Sequence, residues 1–392
     1  MNHTAKKLIL SISIFFVGCT TETKVSGGNS SWAQSQPYVI MLSIDGFRHD
    51  YAEKFGASNL LAMAKEGAST EAMIPSFPSK TFPNHYTLVT GLRPANHGIV
   101  GNSFYSRSKG RTYSIGNRDE VTDGSWYQGT PLWVLAEQHQ MLSASYYWVG
   151  SEANIQGYLP TYFETYDHKK PNDERIDKVL EWLELPDDTR PHIITLYFAI
   201  VDDAGHTFGP NSQETKQAVL EADRLIGRLR TELKALELPI YFIVTSDHGM
   251  TEINEGIDLS SIDFGNAVAD FSSTMLMVYS DSSELISSIS EQLNQFPNLE
   301  VLSKQEVGER HGFVNDDRVG DLVVLCEPPY VIQKSPQSVK GGTHGYDPLR
   351  YEDMGAIFYI EGPEVKAGTR IKAFDNVEVY PLVAELLGLE IE

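Results

Sequence analysis

Cysteine is nearly absent from these 392 residues: Cys19 and Cys326 are the only two. With Cys19 assigned below to a lipid, no disulfide framework holds the fold. Cys326, inside the apolar run 322–326, reads as a buried structural thiol. Basic residues are also scarce, 31 Lys and Arg against 53 Asp and Glu, for a formal net charge of −22. That excludes a surface built to hold nucleic acid through its phosphates. A protein so acidic also repels small anionic ligands, unless the site carries its own positive charge, as bound metal ions would provide. No internal stretch approaches the length of an apolar membrane span. No internal repeat or low-complexity stretch appears beyond a short N-terminal segment.

What is present is a globular composition, 41% apolar and 21% charged. The first residues read as an export signal: Lys6 and Lys7, then a short apolar stretch over 8–17. Phe16-Val17-Gly18-Cys19 resembles a bacterial lipobox, with Phe16 in place of the commoner Leu. The alternative is an ordinary secretory signal with an incidental cysteine. The expected organisation is a signal peptide over 1–18, a flexible Ser/Thr/Gly-rich tether over 19–36, and one catalytic α/β domain over 37–392. Such a protein is exported, periplasmic or anchored at the outer membrane, and touches the membrane only through a lipid on Cys19.

Three apolar, β-branched runs over 38–44, 193–200 and 240–245 predict buried strands. Near-continuous apolar strands belong to a parallel sheet covered by helices on both faces. An amphipathic helix is predicted over 214–236, where Val219, Ala222, Ile226, Leu229 and Leu233 recur at helical spacing. Pro239 stops it before the third strand, which makes a βαβ unit with parallel strands. Each run is followed by acid: Asp45, then Asp202-Asp203, then Asp247-His248. One Asp after a strand is usually a turn or cap. Three clusters at carboxyl ends, where open α/β sheets bind ligands, point to a metal site.

Among the 11 histidines, His206, His248 and His344 sit in Gly-punctuated segments with Asp nearby, whereas His85 and His97 read as structural. Carboxylates with imidazoles suit zinc, and manganese or iron less well. A hydroxyl nucleophile is available in 75–84, before a helix predicted over 83–90. There the helix dipole and a metal would lower its pKa. Pattern alone does not rank Ser76, Ser79 and Thr81, and Thr81 also reads as a simple N-cap.

Eight strings, in order, resemble the nucleotide pyrophosphatase/phosphodiesterase family of the alkaline phosphatase superfamily, as a bacterial lipoprotein-type member. They are Ser43-Ile44-Asp45-Gly46-Phe47-Arg48, Pro78-Ser79-Lys80-Thr81-Phe82-Pro83-Asn84-His85, Thr90-Gly91-Leu92-Arg93-Pro94, His97-Gly98-Ile99, Gly101-Asn102, Gly205-His206-Thr207-Phe208-Gly209-Pro210, Ser246-Asp247-His248-Gly249-Met250 and His344-Gly345-Tyr346-Asp347. The resemblance runs from about residue 38 to the C-terminus. It implies an alkaline-phosphatase-like sandwich, with a mostly parallel central sheet flanked by helices and inserted loops capping the site. Residues 104–129 and 158–173 are the candidate caps.

The same resemblance implies two Zn2+ ions. Asp45, Asp247 and His248 with the Thr81 oxygen would hold one, and Asp202, His206 and His344 the other. Asp202 is preferred to Asp203 because it stands four residues before His206. Thr81 would be the nucleophile of a phospho-threonine intermediate, with net retention at phosphorus. Asn102 and the Thr81 amide would bind the non-bridging oxygen whose charge rises. The implied substrate is a small nucleotide-type phosphodiester. A monoester needs an extra cation, and no Arg lies in the segments around Thr81 or Asn102 except Arg93, past the helix. Phe82 and Tyr197 match the positions that sandwich a nucleobase, with Tyr158 or Tyr162 as further candidates. Val201 in place of the family's Pro, and Trp148-Val149-Gly150 in place of Trp-Pro-Gly, bear on substrate preference. The alternatives are a phospholipid- or choline-type diesterase on the same site, a monoesterase or sulfatase, and an exported metal- or solute-binding lipoprotein without turnover.

Overall fold

The computed structural model describes residues 27–391; the signal read over 1–18, Cys19 and the first part of the expected tether lie outside them. In chain order the strands that build the two larger sheets are β1 Tyr38–Ile44, β2 Ala68–Thr70, β3 Ser143–Tyr146, β4 Tyr162–Glu164, β5 Ile193–Phe198, β6 Ile240–Thr245, β7 Val268–Ser272, β8 Met275–Tyr279, β9 Leu299–Ser303, β10 Leu322–Cys326, β11 Phe358–Glu361 and β12 Thr369–Ile371. The helices that flank them or carry site residues are α1 Ser58–Glu66, α2 Thr81–Thr90, α3 Leu132–Gln138, α4 Asn172–Leu183, α5 Ile200–Phe208, α6 Gln213–Ala235 and α7 Val379–Leu386.

The central sheet runs β12-β2-β11-β6-β1-β5-β3-β4. Its strands are parallel except β11, which runs antiparallel to both β6 and β2. All seven residues of β1 are buried, because it lies at the middle of the sheet with both faces covered. Ile40, Leu42 and Ile44 join the apolar cluster that contains Leu60 of α1, Val179 of α4 and Ile226 of α6. Val39 and Met41 point the other way, into the cluster with Leu88 of α2, Trp133 of α3 and Val383 of α7. This alternation is the period-2 geometry of a strand expressed as a two-sided core. Helix α6 starts where Ser212 accepts the amide proton of Thr215, within two residues of its predicted bounds.

Two local boundaries differ from the prediction. The second strand ends at Phe198, and residues 200–208 form a helix whose first turn carries Asp202 and Asp203. Acidic side chains are stabilised at that end by the helix dipole, so the Asp pair favours a helix over a loop there. Helix α2 begins at Thr81 rather than Pro83, with Lys80 as its extended N-cap residue. Thr81 is therefore the first helical residue and not a cap.

A second sheet, antiparallel in the order β7-β8-β10-β9, was not foreseen as a unit. Cys326 lies buried at the end of β10, with its thiol directed at the Tyr330 carbonyl at 3.2 Å.

The expected tether is shorter than 19–36. Asn29 is buried and its side chain makes three hydrogen bonds: its Oδ1 accepts from the Leu142 amide at 2.7 Å, and its Nδ2 donates to the Asp187 and Arg190 carbonyls at 2.9 and 2.7 Å. Ala33 is buried behind it. One polar side chain that matches three backbone groups at the amino ends of β3 and β5 docks the segment, despite its tether-like composition. Asn29→Ala is expected to destabilise the protein by about 2 kcal/mol, since it strands buried backbone groups. The urea unfolding midpoint reads this directly, and a midpoint equal to wild type would return residues 29–36 to a solvated tether.

Candidate metal centre and active site

Asp45 follows β1, Asp247 stands two residues after β6, and Asp202 lies on the first turn of α5 after β5. Because β6, β1 and β5 are adjacent and parallel, the three carboxylates arrive at one end of the sheet. The i, i+4 spacing on α5 puts Asp202 and His206 on one helix face, with His206 Nε2 3.4 Å from Asp202 Oδ2. Asp203 points elsewhere and pairs with the exposed His168 at 3.4 Å, so Asp202 is the member of the pair at the site.

Two groups bring their ligand atoms within 4.8 Å of one another: Asp45, Asp247 and His248, and Asp202, His248 and His344. His248 belongs to both because its ring stacks on His344, with centroids 3.5 Å apart. His206, expected with Asp202 and His344, flanks the second group, with its ring 5.1 Å from that of His344.

The three imidazoles are oriented alike. Nδ1 of His206 faces the Gly342 carbonyl at 2.8 Å, that of His248 the Gly249 carbonyl at 2.9 Å, and that of His344 the Ser79 carbonyl at 2.9 Å. A carbonyl can only accept, so each ring donates from Nδ1 and turns Nε2 toward the carboxylates, the orientation of a metal ligand.

The carboxylates are only half satisfied. Asp45 Oδ2 accepts from the Tyr197 hydroxyl at 2.6 Å, and Asp247 Oδ1 from the Gly46 amide at 3.1 Å. Asp45 Oδ1, Asp202 Oδ1 and Asp247 Oδ2 are buried without a hydrogen-bond partner. Burial, and the charges of Asp247 and Asp202, push the Asp45 carboxyl well above the usual carboxylate range. Burial raises Asp202 too, only partly offset by His206 and His248. Burial acts the same way on Asp247, but His248 and His85 outweigh it and hold Asp247 well below that range. Burial, His248, Lys80 and His206 keep the His344 ring neutral by pulling it well below the usual imidazole range. Orphaned carboxylate oxygens beside imidazole Nε2 atoms are a donor set that fits divalent zinc.

Thr81, at the start of α2, places Oγ1 3.3 Å from His248 Nε2. The Phe82 amide donates to Asn102 Oδ1 at 2.9 Å, which holds Asn102 beside Thr81. His85, read as structural, borders the site: its Nδ1 lies 3.0 Å from the Thr81 carbonyl and 3.3 Å from Asp247 Oδ2, and its Nε2 2.8 Å from Ser43 Oγ. His97 stays away, buried against Thr87 and the Pro83 carbonyl.

A cavity of about 320 Å3 opens from this cluster, with Thr81, Asn102, Asp45, Asp202, His206 and His344 at its metal end. Phe82 and Tyr197 line it as expected, but the Tyr197 hydroxyl is committed to Asp45. Tyr158 is not among the lining residues; it packs partly buried against the apolar cluster of α2 and α3. Tyr147, Trp148 and Tyr166 line the cavity instead. Both candidate caps contribute, through Ile115 and Val121 on one side and Tyr166 on the other. Arg118 also lines it, which corrects the expectation of no Arg near Thr81. The fold delivers it from 37 residues downstream, beyond the reach of any local spacing rule.

A family model described as Type I phosphodiesterase / nucleotide pyrophosphatase matches residues 39–347. Ectonucleotide pyrophosphatase/phosphodiesterase family member 1 of Mus musculus is 35% identical over 379 residues, covering 90% of this chain and 41% of its own length, so this chain spans less than half of that relative. An uncharacterised pyrophosphatase/phosphodiesterase of Schizosaccharomyces pombe is 34% identical over 406 residues, covering 97% of this chain and 84% of its own. Among solved structures, murine ectonucleotide pyrophosphatase/phosphodiesterase 5, in an inactive threonine-to-alanine form in complex with AMP, aligns with a TM-score of 0.85. That match has 29% identity and covers 91% of this chain and 96% of the other.

Three crowded carboxylates make the metal-free protein strained at this point. Asp45→Asn is expected to stabilise the chelator-treated protein by roughly 1–3 kcal/mol, since it removes a buried, repelled charge. It should also abolish most of the stabilisation that wild type gains from added zinc. Thermal unfolding with and without chelator measures both, and lower chelator-treated stability in the variant would contradict the repulsion.

Proposed function

The chain belongs to the type I phosphodiesterase / nucleotide pyrophosphatase family, and we propose that it is an exported two-zinc hydrolase of nucleotide-type phosphodiesters acting through a phospho-threonine intermediate on Thr81. The observation that carries this reading is the convergence of three half-satisfied carboxylates and three imidazole Nε2 atoms beside one hydroxyl at a helix start. Asp45, Asp247 and His248 would hold one ion and Asp202, His206 and His344 the other; bound there, the ions supply positive charge for a phosphate ester and lower the pKa of an adjacent hydroxyl. Two dications against three carboxylates leave the site about one unit positive within an acidic chain.

Thr81 Oγ attacks phosphorus in line, forming the threonine ester as the bond to the leaving alkoxide or nucleotide breaks. Water then cleaves that ester with a second inversion, giving net retention. The Thr81 amide, at the first helical position, has no intrahelical carbonyl to bond. It and the Asn102 NH2 group are donors for the non-bridging oxygen whose charge grows in the transition state. Phe82, Trp148 and Tyr166 give the second substituent an aromatic wall, which a diester has and a monoester lacks. The relative solved with AMP, inactive after a threonine-to-alanine change, supports both the nucleotide and the threonine. Relatives named as ectoenzymes and as venom phosphodiesterase of Macrovipera lebetinus support export, and the lipobox-like segment supports attachment through Cys19.

Thr81→Ala should lower kcat for an aryl phosphodiester by at least about 10³-fold while leaving close to two zinc ions per chain by elemental analysis. Retained turnover would reject the nucleophile, and loss of metal would leave Thr81 a ligand only. A comparison of aryl diester, aryl monoester and nucleoside triphosphate, with and without chelator, tests the substrate class; monoester preference would overturn it.

A further inference from the structure

Gly101, Asn102 and Ser103 form a tight turn: a Cβ on Gly101 would meet the Ser103 carbonyl oxygen at 2.6 Å, so only glycine fits there. The turn opens an antiparallel hairpin, Ser103–Ser106 with Arg111–Ser114, and the Ile115 amide donates back to the Asn102 carbonyl at 3.0 Å. From outside the hairpin Ser103 is held by Asp270 of β7, whose Oδ1 accepts from Ser103 Oγ at 2.9 Å. Asp270 stands opposite Met277 of β8. On that face of the second sheet Met275, Met277 and Tyr279 are buried in the cluster that contains Phe104 and Tyr113 of the hairpin, while Ala269 and Phe271 pack into the cluster on the other face. A carboxyl on an apolar face is costly. Asp270 Oδ2 is buried with no hydrogen-bond partner among the described residues, and burial pushes the carboxyl above its usual range against the opposing Ser103 hydrogen bond. An unmatched buried oxygen does nothing for stability. What this carboxyl does is fix Ser103.

We propose that Asp270 is a positioning residue for the phosphodiesterase reaction: through Ser103 it fixes the turn that presents Asn102 beside Thr81. The role rests on the reading of Asn102 as a donor to the non-bridging oxygen whose charge grows in the transition state. Such a donor is effective when it is held in place before charge develops, because no reorganisation is then needed during the reaction. The Phe82 amide holds the Asn102 side chain and the Ile115 amide holds its carbonyl. Asp270 adds a third tie from a different sheet, 167 residues downstream of Ser103. Asp270 does not line the cavity, so it acts through Asn102 and not on the substrate. The second sheet is in this way part of the catalytic framework without touching the reacting atoms.

The test is a double-mutant cycle on the full chain with 4-nitrophenyl phenyl phosphate as substrate. Asn102→Ala should lower kcat by roughly 10²-fold or more. Asp270→Ala should lower kcat by about tenfold, the worth of one buried hydrogen bond, with little change in KM. In the Asn102→Ala background the same Asp270→Ala change should cost nothing further, since the group it positions is gone. Asp270→Asn, whose amide oxygen still accepts from Ser103, should restore most of the lost rate. Ser103→Ala removes the same hydrogen bond without altering β7 and should reproduce the Asp270→Ala loss, which keeps the test open if that variant folds poorly. Zinc content should stay at the wild-type level throughout. Losses that multiply in the double variant, or wild-type kcat in both Asp270→Ala and Ser103→Ala, would overturn the role. Wild-type kcat in Asn102→Ala would instead reject the reading of Asn102 beneath it.

Discussion

Asp45, Asp202 and Asp247 are driven together by three neighbouring strand ends, and the rest of the site follows from that crowding. Unit charges a few ångströms apart repel by several kcal/mol even when screened as at a protein surface. The chain relieves only part of this. His248 and His85 approach Asp247 Oδ2 at 2.9 and 3.3 Å, and the Tyr197 hydroxyl supports one oxygen of Asp45. Each carboxylate keeps one oxygen with no partner. A fold that orphans three buried carboxylate oxygens at one point has left places for cations, not hydrogen-bond donors.

The scaffold makes that arrangement tolerable. β1 is buried along its whole length and paired in parallel on both sides, with Leu42 opposite Leu196 and Val244. The two apolar clusters against its faces fix the direction in which Asp45 leaves the sheet. Backbone carbonyls complete the work by setting the histidine tautomers: Gly342, Gly249 and Ser79 each hold an Nδ1 proton. Ser79 is two residues before Thr81, so the turn that presents the Thr81 hydroxyl also orients His344.

Much of this was legible because it is local. Apolar runs marked β1, β5 and β6, acids marked their ends, and the four-residue step from Asp202 to His206 marked a shared helix face. What escaped is contact between distant segments. Arg118 reaches the cavity through the fold alone, and Tyr166 replaces Tyr158 in it for the same reason. Asn29 looked like tether because one well-placed amide overrides a Ser/Thr/Gly-rich composition. The second sheet is a different case: Met275–Tyr279 and Leu322–Cys326 are apolar and fully buried, so the signal for two of its strands was present. Its outer strand β7 is only partly buried and carries no such run, which is why the sheet did not announce itself as a unit.

That second sheet is not an ornament, because Lys80 ties it to the cluster of carboxylates and imidazoles. The lysine is buried, and its Nζ donates to the His344 carbonyl at 2.8 Å and to Ser273 Oγ at 3.0 Å, in the turn between β7 and β8. Its chain runs so close to Gly345 that a Cβ there would meet Lys80 Cε at 2.1 Å, and Gly345 has φ +103°. Only glycine satisfies both the backbone conformation and the contact. Ser79 adds a second tie by donating from Oγ to the Tyr346 carbonyl at 2.7 Å. The turn that carries Thr81 and the loop that supplies His344 are therefore gripped from both sides, across more than 260 residues of sequence. Without side-chain ties of this kind, the first and last motifs of the chain would meet only through loops, and loops alone do not hold a ligand geometry.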